Sequence, residues 1–333
     1  MKYLRLLLLP FSLVFWLIVS IRNKFYDWGI LKSEKLNVPV VSVGNIIAGG
    51  SGKTPFTIYL AEHFLKNNLK VAVVSRGYKR VSKENTEILE GKSPSADIEK
   101  IGDEPYLIFS RLKNISDNFI LASGKSKLSS AELISEKYKP DIIIIDDGFQ
   151  HRKLNRDLDL VLTGRIEKFE NKFLIPAGNL RETKSALKRA SLVVYNNKSD
   201  LFEPKADVYF KYISKGYFDK DGNCIKLTNA VYTLSAIANP HSFYSLINRD
   251  KLNILRKFEF PDHHAYDSAE LIKLFTGIDK GKTIVTTEKD FVKLKNSPEL
   301  FKEYKIVFLK IDIAFTKGEK ILQSKLNALH NKN

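Results

Sequence analysis

The sequence predicts an α/β fold: a parallel sheet core, a second, smaller α/β region after it, and an apolar N-terminal helix before it. Three patterns predict it. Short β-branched runs alternate with helical stretches, the order that builds a parallel sheet with helices on both faces. Runs such as Asp141-Ile-Ile-Ile-Ile145 are apolar throughout, as strands covered on both faces are. A glycine-rich segment after Val40–Val43 leads directly into Lys53-Thr54 and a helical pattern.

The apolar segment comes first in the chain. Leu6 to Ile21 is shorter than the roughly 20 residues that span a bilayer. Lys2 and Arg5 precede it, and Arg22 and Lys24 follow. No Ala-x-Ala-like cleavage site follows, and positive charge on both flanks argues against export. Trp16, Tyr26 and Trp28 suit an interface. Residues 1–24 are therefore expected to form a membrane-associated helix, with its basic residues on anionic lipid headgroups. A helix buried in the globule is the alternative, disfavoured because the run is apolar on all faces.

Residues 25–200 are expected to form the core. Its strands are expected at Val38–Val43, Lys70–Ser75, Asn118–Ala122, Asp141–Ile145, Leu158–Thr163 and Ser191–Tyr195. Helical patterns lie near Phe56–Asn67, Glu104–Arg111, Lys125–Tyr138 and Arg181–Arg189. Asn196 to Pro204 reads as a connector. Residues 201–333 then form the smaller region, with β-like runs at Ala206–Ile213, Ala230–Leu234, Leu252–Phe258, Lys282–Thr287 and Lys305–Lys310. Helical patterns there lie near His241–Asn248, Ser268–Phe275, Lys289–Lys295 and Lys317–His330.

A chain of 333 residues can bury two cores. Apolar content of 44% with 28% charged residues excludes a disordered chain. The net charge of +16 favours anionic partners: phosphorylated substrates, nucleic acid or an anionic membrane. No basic–aromatic interleaving of the kind that binds nucleic acid is apparent, so nucleic acid is not an expected partner. The single cysteine, Cys224, excludes an internal disulfide and a cysteine metal cluster.

The segment Val41-Ser-Val-Gly-Asn-Ile-Ile-Ala-Gly-Gly-Ser-Gly-Lys-Thr-Pro55 has the form strand, phosphate loop, helix. Such a loop aims backbone N–H groups and the positive end of a helix dipole at phosphate. Gly49, Gly50, Ser51 and Gly52 would line it, Lys53 would reach the outer phosphates, and the Thr54 hydroxyl would bind Mg2+. Ile47 stands where the general pattern has glycine. The expected fold is therefore P-loop NTPase-like.

Asp146 and Asp147 end a buried strand, at the sheet edge where α/β folds bind ligands. A carboxylate there holds the magnesium that bridges nucleotide phosphates. Adjacent strand residues face opposite ways, so one aspartate would meet metal while the other orients a neighbour. Arg76, after another strand, either counters phosphoryl charge or forms a structural ion pair. Asp103 is placed as a helix N-cap, yet it is also the candidate base for an attacking hydroxyl. Asp262, His263, His264 and Tyr266 cluster in one loop, where one histidine has an acid–base or orienting role. Arg181 either binds an anionic group or belongs to a solvated basic face. Asn197-Lys198-Ser199-Asp200 matches a guanine-recognition pattern, but Ile145 occupies the position where the companion signature needs aspartate.

Together these blocks resemble the lipid A 4′-kinase family (tetraacyldisaccharide 4′-kinase). The resemblance rests on the apolar N-terminus, Val43-Gly-Asn45 with Gly49 to Pro55, Ser75-Arg-Gly-Tyr78, Gly102-Asp-Glu-Pro105, Asp146-Asp-Gly-Phe-Gln-His151, Gly178 to Glu182, Asp262-His-His264 and Thr287-Glu-Lys-Asp290. It implies ATP-dependent phosphorylation of the 4′-hydroxyl of a tetraacylated glucosamine disaccharide 1-phosphate. It implies the cytoplasmic face of the inner membrane; an obligate protein partner is not among its implications. By motif, Asp103 corresponds to the family's proposed base, paired with the histidine after aspartate, here His263, with His264 as the alternative partner; Asp146 and Asp147 correspond to its acidic strand end. The competing expectation is a membrane-associated P-loop ATPase or GTPase switch, whose full set of sensing residues is missing.

Overall fold

The computed structural model describes residues 3–77, 80–164, 173–197, 205–227, 230–279, 281–295 and 297–330. A 3-10 turn over Tyr3–Leu8 leads into helix α1, Leu9–Asp27. Strand β1, Val40–Asn45, is followed by the glycine-rich loop and α2, Lys53–Lys66. Then come β2 (Val71–Ser75), β3 (Thr86–Glu90), the short α3 (Ile98–Ile101) and α4 (Asp103–Leu112). Next are β4 (Phe119–Gly124), α5 (Lys127–Tyr138), β5 (Ile142–Asp146), β6 (Leu158–Thr163) and β7 (Leu192–Asn196). The second part begins with β8 (Val208–Phe218), β9 (Cys224–Ile225), β10 (Ala230–Ser235), α6 (Pro240–Arg249) and β11 (Asn253–Glu259). It ends with α7 (Ser268–Leu274), β12 (Thr283–Thr287), α8 (Glu288–Leu294), α9 (Pro298–Glu303), β13 (Lys305–Lys317) and α10 (Glu319–His330).

All the strands join one sheet in the order β11-β10-β12-β13-β8-β7-β6-β1-β5-β2-β4-β3, with β9 beside β8. The pairs from β7 through β4 are parallel, and so are those joining β11, β10, β12 and β13. The two long strands β8 and β13 pair antiparallel, while β8 pairs parallel with β7, so the ladder continues from one part to the next. β1 lies between β5 and β6, the point where the strand order reverses. Ligands of open α/β sheets bind outside the strand ends at such a point.

The sequence pattern explains the layers. Ile142 and Ile144 pack with Val41, Val43 and the α2 side chains Phe56, Leu60 and Phe64. Ile143 and Ile145 face the other way, against Ala131 and Ile134 of α5. A strand buried on both faces cannot alternate with polar residues, which is why β5 reads as a continuous apolar run. In the second part, Val285 and Val307 pack on Phe243 and Ile247 of α6. Their neighbours Ile284 and Ile306 pack on Leu271, Phe291 and Leu300.

Three expectations change. The helix expected at Arg181–Arg189 is only a 3-10 turn over Lys184–Arg189. Leu180 instead makes β-bridges to Ile47 and Leu174, which hold the chain before the turn extended. The strand expected at Lys305–Lys310 continues to Lys317 because its antiparallel partner β8 is equally extended. Asp103 is not the cap of its helix; Gly102, with φ of 92°, holds that position and Asp103 opens the first turn. Tyr78, and Lys198 to Asp200 with the boundary placed at 200/201, lie outside the described residues.

Candidate active site

The phosphate loop is tied down at both flanks. Asn45, at the end of β1, donates to the Ile47 carbonyl at 2.5 Å and to Ser51 Oγ at 2.9 Å. Asn196, at the end of β7, donates to the Ser51 carbonyl at 3.4 Å. Gly52 caps α2 with φ of 94° and without a capping side chain, so the first N–H groups of α2 open toward the ligand side. A Cβ on Gly52 would overlap the Tyr212 hydroxyl and stand 2.9 Å from Asn196 Nδ2, so only glycine fits.

The two aspartates after β5 take different environments. Asp146 is 2% exposed and accepts from Thr57 Oγ1 at 3.2 Å and Ser75 Oγ at 3.3 Å. Burial, reinforced by the negative charges of Glu104 and Asp147, pushes its carboxyl above the ordinary range. Asp147 lies one residue past the strand with φ of 54°. Arg181 grips it through both oxygens at 3.0 and 2.9 Å, and Lys53 Nζ stands 3.4 Å away. Burial opposes its ionisation, but Lys53, Lys127 and Arg181 outweigh burial and hold the carboxyl well below the usual range. Lys127, itself buried, donates to the Asp147 carbonyl at 2.6 Å. Arg76 is exposed and lines the same cavity.

A second cluster comes from α4, the loop before α7, and α8. His263 Nδ1 lies 3.7 Å from Asp103 Oδ2, an electrostatic contact longer than a hydrogen bond. The ring occupies that place because His263 has φ of 60°, in a turn closed by the His264 N–H donating to the Pro261 carbonyl at 3.1 Å. His264 turns away and stacks on Phe260, with ring centroids 4.5 Å apart. Of the two adjacent histidines, His263 is therefore the one beside Asp103. Asp267 caps α7, accepting from the Glu270 N–H at 2.9 Å. Burial works against ionisation of Asp103, but the His263 ring and the ammonium groups of Lys293 and Lys289 outweigh it, and the carboxyl lies below its ordinary value.

One cavity of about 690 Å³ joins the two clusters. The phosphate loop, Arg76, Lys127, Asp146, Asp147 and Arg181 line it from one side, and Asp262, His263 and Lys289 from the other. Sequence reasoning named Lys53, Thr54, Arg76, Asp103, Asp146, Asp147 and His263; all but Asp103 line the one cavity, and Asp103 stands beside His263. It missed Lys127, Glu104, Lys289 and Lys293 as chemistry. Lys127 had a usable signal, since it opens a helix directly after a strand end. Lys289 stood within Thr287-Glu-Lys-Asp290, a block quoted only for its resemblance.

A phosphate loop between a parallel strand and a helix, with acidic residues at the adjoining strand end and a carboxylate–imidazole pair across one cavity, defines a P-loop phosphotransferase. The comparisons agree. The family described as tetraacyldisaccharide-1-P 4′-kinase matches residues 4–330. The tetraacyldisaccharide 4′-kinase of Flavobacterium psychrophilum is 36% identical, over 98% of this chain and 97% of that protein. That of Aquifex aeolicus is 35% identical, over 90% of this chain and 92% of that protein. The crystal structure of LpxK from Aquifex aeolicus in complex with ATP has a TM-score of 0.76, at 31% identity, over 98% of this chain and 99% of that one. The chain belongs to the tetraacyldisaccharide-1-P 4′-kinase family.

Proposed function

We propose that this kinase transfers the γ-phosphate of ATP to the 4′-hydroxyl of a tetraacylated glucosamine disaccharide 1-phosphate, a step of lipid A assembly, and that Asp103 with His263 takes the hydroxyl proton. The observation that carries the site assignment is the shared cavity: the phosphate loop opens on one wall and His263, backed by Asp103, on the other. Phosphoryl transfer asks for positioning and charge neutralisation more than for covalent chemistry. Gly49, Gly50, Ser51 and Gly52 would cradle the phosphates, Lys53 would neutralise the outer ones, and Arg76 would counter charge developing on the transferred group. Arg181 holds Asp147 through both oxygens and so fixes the neighbour of Lys53.

Magnesium fits the donors present. Asp146 is raised in pKa by burial and by its acidic neighbours Glu104 and Asp147, only partly offset by Lys127 and Lys53, and a cation beside it would favour its ionised form. Among the described residues no three His, Cys, Asp or Glu side chains cluster for a metal. Magnesium needs no such cluster, since it keeps waters and shares phosphate oxygens with one or two carboxylates. Thr54, Asp146 and Asp147 would hold it, and it would neutralise phosphate charge there. Residues 25–200 would form the nucleotide-binding core and 201–333 a smaller domain carrying His263. The helix at 1–24 would rest on anionic lipid at the cytoplasmic face of the inner membrane, where such a substrate lies.

Incubation with γ-labelled ATP and the lipid disaccharide 1-phosphate tests the proposal. Label is expected on the lipid, and Asp103→Ala is expected to lower that transfer at least about a hundredfold while ATP still binds. Label released only as free phosphate would instead support a switch ATPase. Transfer by the variant near the wild-type rate would remove Asp103 as the base.

A further inference from the structure

Helix α8 presents two lysines one turn apart toward the carboxylate–imidazole pair. Lys289 lines the cavity and meets Glu104, Asp262 and the His263 ring at 3.4, 3.5 and 3.3 Å. Lys293 lies deeper, with its side chain only 8% exposed. Its ammonium stands 3.6 Å from Asp103 Oδ2 and 3.5 Å from Asp290 Oδ1, and donates to the His264 carbonyl at 3.1 Å. Tyr266 covers it, with the ring centroid 5.7 Å away.

Asp290 is a fixed anchor. It is fully buried, and its other oxygen accepts from the Ala236 N–H at 3.0 Å and Thr287 Oγ1 at 2.7 Å. The ammonium thus sits between one immobile carboxylate, the Asp103 carboxylate and the backbone of the turn that presents His263. One contact is a hydrogen bond, to the His264 carbonyl, and the other two are longer-range ion pairs.

We infer that Lys293 is the positioning residue of the transfer reaction: one buried ammonium fixes both Asp103 and the turn carrying His263. This rests on the assignment of Asp103 and His263 above. Lys293 itself acts through Asp103, keeping the carboxylate ionised and aimed. The other ionisable groups acting on Asp103 are His263 on the turn and Lys289 on α8, with Glu104, Asp262 and Asp290 paired in turn to Lys289 and Lys293. Of the cations, only Lys293 also touches the backbone of that turn. Removing its charge raises the Asp103 pKa, so the proton-accepting form is lost at a higher pH than in the wild type. The phosphate loop is untouched, so nucleotide binding persists.

The test measures transfer to the lipid disaccharide by full-length Lys293→Met, Lys293→Gln and Lys293→Arg, with kcat and KM taken from about pH 3 to about pH 9. Lys293→Met and Lys293→Gln are expected to lose about tenfold or more in kcat, with the KM for ATP within about twofold of wild type. The acid limb of kcat is expected to move up by about one pH unit, and Lys293→Arg to restore most of the rate and the limb. A limb that stays in place in both neutral variants overturns the inference, whether or not the rate falls. So does a rate that arginine fails to restore. Should the methionine variant not bind ATP, the glutamine and arginine pair decides alone. Asp103→Asn run in parallel separates the two claims. If it stays active, the base assignment fails; if it is inactive while Lys293→Met is normal, only the role of Lys293 fails.

Discussion

Gly52 is the residue on which the phosphate loop turns, and the room around it is already taken. Its φ of 94° excludes most side chains, and the Tyr212 hydroxyl and Asn196 amide occupy the space a Cβ would need. Gly52→Ala is expected to lower stability by about 1 kcal/mol or more and to weaken ATP binding at least about tenfold. Thermal melting and nucleotide titration measure both effects. Tyr212→Phe in the same chain relieves the overlap but not the backbone strain, so the rescue should be partial. Binding of ATP by Gly52→Ala at wild-type strength would show that the loop has slack. The glycine itself was legible in the sequence. Its jailer was not, because Tyr212 comes from a strand of the second part and only tertiary packing brings it to the loop.

Helix α1 inverts the usual arrangement of an amphipathic surface helix. Its polar residues Ser12, Asn23 and Asp27 face the protein. Ser12 Oγ donates to the Leu174 carbonyl at 2.9 Å, Asn23 to Glu182 at 2.7 Å, and Asp27 accepts from Arg152 at 2.8 Å. Its apolar residues face out, with Phe11 65% and Leu13 63% exposed. The helix Arg5–Asp27 is long and apolar enough to cross a membrane. An outward apolar surface of this kind has a hydrophobic environment as its natural partner. Deleting residues 1–27 is expected to abolish sedimentation with anionic phospholipid vesicles while the remaining chain keeps a cooperative melt. Unchanged sedimentation would place the membrane contact elsewhere on the basic surface. The apolar run was plain in the sequence. The polar stripe was not, because Ser12, Asn23 and Asp27 are spaced too widely to stand out until their partners are known.

Across the whole molecule, an ion pair in the cavity wall joins the two parts, in addition to Lys289–Glu104 and Lys293–Asp103. Arg111 of α4 meets Glu288 of α8 at 2.8 Å and donates to the Ile311 carbonyl of β13 at 3.4 Å. Burial pushes the Glu288 carboxyl up, and the Arg111 guanidinium and the Lys310 ammonium oppose it without cancelling it. Arg111→Met strands a buried acid, with an expected loss of about 3–5 kcal/mol in unfolding free energy. Adding Glu288→Gln should return part of it, and a denaturant titration of the single and double variants measures both. If the single variant unfolds like wild type, the pair is not a fastener. The alternation of strands and helices, the phosphate loop and the acidic strand end were all legible, because each depends on neighbours within a few positions. The continuity of the sheet through β7, β8 and β13 was not, and neither was the geometry that sets His263 rather than His264 beside Asp103. The first depends on a long antiparallel pairing, the second on a turn whose backbone sign no residue pattern announces.

That sign has a consequence of its own. Asp147 and His263, on opposite walls of the cavity, both hold left-handed backbone, with φ of 54° and 60°. Each costs about 1 kcal/mol or more relative to a residue at ease there. Glycine or asparagine would relieve that tension at either position while deleting the carboxylate or the ring. A selection for heat resistance alone would therefore drift toward a tougher but silent protein, and libraries built for thermal tolerance should hold these two positions constant.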